Sequence, residues 1–100
     1  MTQYRIELAP EAEFDISQGF HWYRERNALA AEAFRSEVFE MIEVIGNAPL
    51  NLGADENHDR YRVLKRFPYT IWYSVHGDTV SVVAVAHHKR RPNYWRTKNP

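Results

Sequence analysis

The run from Val80 to Trp95, VSVVAVAHHKRRPNYW, constrains the fold more than any other stretch, because it joins an apolar segment to a cationic one without a spacer. From Val80 to Ala86 only Ser81 is polar, so both alternating sides are apolar. That is the pattern of a central strand covered on both faces. Within one step the chain turns to His87, His88, Lys89, Arg90 and Arg91, a cationic cluster held at the end of a rigid element, where a site gains from fixed geometry. Pro92 has no N–H to give a sheet ladder and ends the strand. Tyr94 and Trp95 follow as large amphipathic side chains, so charge and aromatics meet at one edge.

The remaining elements are read from their periods. Tyr4, Ile6 and Leu8 alternate with Arg5 and Glu7 as a short half-buried strand. Pro10 stops it and suits the first turn of a helix running to about Arg26, with Glu11, Glu13 and Asp15 placed against the positive end of the helix dipole. The apolar stripe of that helix is Ala12, Ile16, Gly19, Phe20 and Tyr23, which leaves Phe14 and Trp22 off it. Asn27 ends the first helix and caps a second, which runs to Gly46 and Asn47 before Pro49. Its stripe is Ala31, Phe34, Val38, Met41, Ile42 and Ile45, with Glu32, Glu37, Glu40 and Glu43 read as a solvated face. Residues 48–60 have no period and read as a loop. From Tyr61 the period becomes two: Tyr61–Phe67 and Tyr69–Val75 flank Pro68, and Gly77-Asp78 turns the chain into the third strand of a meander. The expected fold is α+β, in the order β-α-α-β-β-β, with a helical hairpin on one face of a small, mainly antiparallel sheet. The other face is left for a partner.

Composition sets the limits around this reading. One hundred residues with 44% hydrophobic and 26% charged side chains fit a single domain, residues 1–100, with one core. The chain has no cysteine, which excludes a disulfide framework and a thiolate zinc site. No apolar run reaches the length of a spanning helix and the N-terminus lacks a signal-type apolar region, so the expectation is a cytoplasmic protein with no membrane contact. Formal net charge is zero, yet residues 1–60 carry 12 acidic and 5 basic side chains and residues 61–100 carry 1 and 8. The chain is therefore a strong dipole, able to orient a basic face toward an anionic partner.

The cationic edge suggests chemistry. RNA cleavage requires a base near the 2′-hydroxyl, cations for the phosphate and an acid for the leaving group. His88, Lys89, Arg90 and Tyr94 are the candidates, without metal or cofactor. Adjacent histidines on a strand point to opposite faces, so at most one of His87 and His88 serves one site. The plainer reading of His87 is a buried histidine hydrogen-bonded to a helix or to Tyr73. Binding without chemistry needs only phosphate contacts and stacking platforms. Arg62, Arg66, His87, Lys89, Arg90, Arg91, Tyr94 and Trp95 are the residues for it, and the plainest alternative is a solvated, solubilising C-terminus. The loop acids with His58 carry no metal expectation. There is no glycine-rich phosphate loop, G-x-S-x-G elbow or spaced histidine pair.

The opening Y-R-I-E-L-A-P-E-A-E, the R-F-P-Y-T-I-W-Y-S-V pair before a G-D turn, and the ending V-A-V-A-H-H-K-R-R-P-N-Y-W together resemble the RelE/ParE toxin superfamily over nearly the whole chain. The ending is the most specific part. In the opening, Ala9 stands where relatives have a serine before Pro-Glu-Ala, which removes a helix cap worth about 1 kcal/mol. The resemblance implies the toxin of a type II toxin–antitoxin module, of the plasmid-stabilisation kind, that arrests growth and is neutralised by a cognate antitoxin.

Two targets are implied by the two branches. RelE-like members are metal-independent endoribonucleases that cut messenger RNA in the ribosome, and ParE-like members poison DNA gyrase. The nucleases carry an arginine after the aromatic of the middle strand, where this chain has Thr70. They also carry a basic residue and, six positions on, a tyrosine, which fall here on Lys89 and Trp95, with Tyr94 one place away. Thr70 brings no cation and Trp95 no acid, so the expectation leans to gyrase, with Phe14, Trp22 and Phe39 as possible anchors. The alternatives are the nuclease and an inactive nucleic-acid-binding or interaction module of the same fold.

Overall fold

Four strands and two helices follow in the order β1 (Arg5–Leu8), α1 (Pro10–Arg24), α2 (Ala28–Asn47), β2 (Arg60–Val63), β3 (Tyr69–His76) and β4 (Thr79–His87). The computed structural model describes residues 3–50 and 59–90. The sheet order is β1-β4-β3-β2, with β1 parallel to β4 and the other two pairings antiparallel. The apolar Val80–Ala86 run thus occupies an inner strand, with one neighbour from the start of the chain and the other from the strand just before it.

Both helices begin as their sequences dictate. Pro10 opens α1, Ala9 provides no side-chain cap, and Glu11 and Glu13 lie in the first turn. The Asn27 side chain accepts from the N–H groups of Leu29 and Ala30, at 2.9 and 3.1 Å, and so starts α2. The hairpin buries Ala12, Ile16, Phe34, Val38, Ile42 and Ile45 against Ile71, Tyr73, Val80, Val82 and Val85 of the sheet. At Gly19 the hairpin leaves no room for a side chain: a Cβ there would lie 2.7 Å from Phe34 Cζ, so the position admits none without displacing the Phe34 ring.

Three local differences from the expected pattern have physical causes. First, Trp72 pairs with Ala84 but Tyr73 pairs with Val82, which leaves Val83 as the extra residue of a β-bulge. Val80, Val82 and Val85 therefore share the helix-covered core, whereas Ala84 and Ala86 belong to a second cluster with Trp72 and Val83. Second, the strand expected over Tyr61–Phe67 stops at Val63. Glu37 of α2 accepts hydrogen bonds from the backbone N–H groups of Lys65 and Arg66, drawing the chain off the sheet, and both Leu64 and Phe67 pack into the core. Glu37 is thus buried instead of solvated. Third, Asp15 is not an exposed helix-dipole charge. It is buried, and its Oδ2 accepts from the N–H of Val85 at 3.0 Å. The backbone pairing from β1's side ends at Ala9 N–H to Val82 O, at 2.9 Å, and α1 takes over beyond it.

Candidate functional site

Where β4 runs past the end of β1, it meets α1, and the two enclose an open cleft of about 690 Å³. One wall is the α1 face carrying Asp15, Gln18, Gly19, Trp22 and Tyr23. The other is formed by Pro68, Tyr69, Val85 and the turn from His87 to Arg90. The wall is stiffened by an aromatic group. The Phe34 ring lies 4.7 Å from Tyr69 and 5.4 Å from Tyr23, and Phe67 lies 5.1 Å from Tyr23, separations typical of favourable ring pairs.

His87 enters this wall edge-on to Tyr69, with ring centroids 4.9 Å apart. Its partner is thus Tyr69, not Tyr73, whose hydroxyl instead donates to the Pro49 carbonyl at 2.7 Å. The His87 Nδ1 accepts the N–H of Lys89 at 3.0 Å, and the His87 carbonyl accepts the N–H of Arg90 at 2.9 Å. His88 turns the other way. Its Nε2 is 3.0 Å from the hydroxyl of the buried Thr70, and its N–H donates to the Pro68 carbonyl at 2.8 Å. The neighbouring histidines face opposite sides, as strand geometry requires.

Three groups in the cleft are held in neutral form. The Tyr69 hydroxyl is pushed up to about 12, first by burial and then by the nearby Tyr23 and Asp15, with Arg90 partly opposing. Burial lowers the His87 pKa, and the positive charges of His88 and Lys89 lower it further. Tyr23 is also raised, by burial. At neutral pH the floor therefore presents neutral phenols and a neutral imidazole, with cationic Lys89 and Arg90 at the lip.

Of the residues singled out from sequence, His87, His88, Lys89 and Arg90 come together here. Arg66 and Arg62 do not line the cleft. The Arg66 Nε sits 3.3 Å from Glu37 Oε1 in an ion pair, and Arg62 pairs in register with Ile71 on the helix side of β2. Arg91, Tyr94 and Trp95, like His58, lie outside the described residues. The three off-stripe aromatics do not line one groove. Trp22 borders the cleft with Arg26 stacked 3.8 Å over its ring, Phe39 borders a separate groove with Phe20 and Leu8, and Phe14 lines neither. Among the described residues no group of three or more potential metal ligands gathers, and no helix is long and apolar enough to cross a membrane.

Sequence reasoning missed Asp15, Gln18, Tyr23 and Tyr69 as cleft residues. For Asp15 a signal existed: Ala12, Asp15 and Gly19 follow helical i, i+3, i+4 spacing, which puts a carboxylate on the buried side of α1.

A sequence model described as "ParE toxin of type II toxin-antitoxin system, parDE" matches residues 6–92. Among solved structures, a chain from the "Chromosomal ParDE TA system from P. aeruginosa" superposes with a TM-score of 0.74 at 16% identity, covering 85% of this chain and 96% of that one. No curated protein matches.

Proposed function

The chain belongs to the ParE toxin family of type II toxin–antitoxin systems, and from that membership we propose that it arrests growth by poisoning DNA gyrase and is neutralised by a cognate antitoxin. The observation that carries the choice of target is the pair beside Tyr69. A phosphoryl transition state is stabilised by cations or donors aimed at the developing charge. At this position stands Thr70, buried, with its hydroxyl engaged by His88. The buried Asp15 carboxylate on the same cleft opposes an incoming phosphate. A gyrase poison needs a contact surface instead of an acid and a base, and Trp22 with the Lys89 and Arg90 lip provides aromatic and cationic contacts of the kind that anchor interfaces.

The deciding experiment adds the purified chain to purified gyrase and, in parallel, to translating ribosomes. Blocked supercoiling with intact message is expected. Intact supercoiling beside message cut within codons would replace this reading with the nuclease one, which the Lys89–Arg90 lip favours. In that case neutralising both (Lys89→Gln with Arg90→Gln) should abolish cutting and flatten the salt dependence of RNA binding by about one unit of slope per lost phosphate contact. Normal growth on expression of the soluble chain without its antitoxin would leave an inactive interaction module.

A further inference from the structure

We propose that His87 is a positioning residue that fastens the Lys89–Arg90 turn, and that it does so only as a neutral imidazole protonated on Nε2. A backbone N–H can only donate, so the 3.0 Å contact from Lys89 N–H requires a lone pair on His87 Nδ1. The acceptor reaches the N–H two residues ahead, which is the geometry by which aspartate and asparagine side chains close an Asx-turn. The histidine ring stands in for that side chain. With Arg90 N–H on the His87 carbonyl and His88 N–H on Pro68, it closes the turn that carries both cations of the cleft lip.

Protonation destroys this arrangement chemically. Imidazolium offers donors on both nitrogens, so Nδ1 would meet the Lys89 N–H donor to donor. Around the ring, Tyr69 of β3 faces it edge-on, Tyr23 and Asp15 of α1 line the same cleft, and His88, Lys89 and Arg90 follow on its own turn. Only Asp15 among these would attract the new charge, and its Oδ2 already accepts from Val85. The cationic lip is therefore ordered above the titration point of His87 and released below it, with a switch in the range that histidine covers.

The test is NMR on the full-length chain and does not depend on which target the toxin has. At neutral pH the His87 ring nitrogens should show the Nε2–H tautomer, and the Lys89 amide resonance should shift with the same midpoint as His87 when pH is lowered. In His87→Asn, whose carbonyl can accept the same N–H, the Lys89 amide should stay near its neutral-pH position across the whole titration. In His87→Ala it should sit at the acid-limit position at every pH. An Nδ1–H tautomer, or a Lys89 amide indifferent to His87 protonation, overturns the proposal. The wild-type titration decides the matter even if a variant fails to fold.

Discussion

At Tyr69 one phenol joins the packing of the core to the electrostatics of the cleft. Its ring contacts Phe34 and Tyr23 inside the molecule and makes a T-shaped contact with His87, and burial with two anionic or ionisable neighbours pushes its hydroxyl up to about 12. A raised pKa favours the protonated form in the folded state. Its contribution to stability is complete below the ordinary phenol value of about 10 and is lost as pH rises through that value toward the folded one. The melting temperature of the wild type should therefore fall between those limits more steeply than that of Tyr69→Phe, which has nothing to ionise. Parallel alkaline limbs would remove Tyr69 as their source. His87 runs in the opposite sense. Its pKa is lowered by burial and by the adjacent cations, so its contribution is present above the ordinary histidine value of about 6.5 and declines as pH falls below it.

Between elements, Glu37 ties the middle of α2 to the link between β2 and β3. Its carboxylate accepts from the Lys65 and Arg66 backbone and from the Arg66 guanidinium, and it does so while buried. The two kinds of bond differ in worth. The Arg66 side chain is largely exposed, so its ion pair adds little, whereas the backbone N–H groups have no sheet partner to replace the carboxylate. Glu37→Ala should cost on the order of 2 kcal/mol, the scale of a charge-assisted bond lost with its partner left unsatisfied. Glu37→Gln should cost less, because one carbonyl oxygen remains to accept. Urea unfolding midpoints check both, and an alanine variant as stable as the wild type would show that these N–H groups find water instead. Since Leu64 and Phe67 enter the core on either side of this clamp, the alanine variant should also loosen the wall behind Tyr23 and Tyr69.

Over the molecule as a whole, zero net charge hides two opposed halves, with acidic residues concentrated before residue 60 and basic ones after it. A dipole of this kind governs how partners arrive more than how tightly they stay. Association with the antitoxin should slow as ionic strength rises, most steeply up to about 0.15 M, where the screening length falls to about 8 Å. Dissociation should change much less. Stopped-flow rates over a salt series would show this, and an association rate independent of salt would mean that the charge split serves internal neutralisation only.

Local patterns along the chain are enough to give the element order, the Pro10 start and Asn27 cap, the Gly77-Asp78 turn, the apolar inner strand and the cationic end that follows it. The sequence also placed the chain near its family, since the residues carrying the resemblance lie in those same elements. Tertiary structure decided what depends on pairing. Strict alternation from Val80 would send His88 to the helix side along with Val80 and Val82. The bulge at Val83 shifts the period by one, so it is His87 that reaches Tyr69 and the cleft, while His88 goes to Thr70. A one-residue change of register exchanges the faces of every side chain beyond it, and no composition or spacing within β4 reveals where its partner strand will force that change. The burial of Asp15 and Glu37 has the same origin. Each is a carboxylate whose acceptor role exists only because a distant strand or loop, Val85 or Lys65 and Arg66, brings unpaired N–H groups to it.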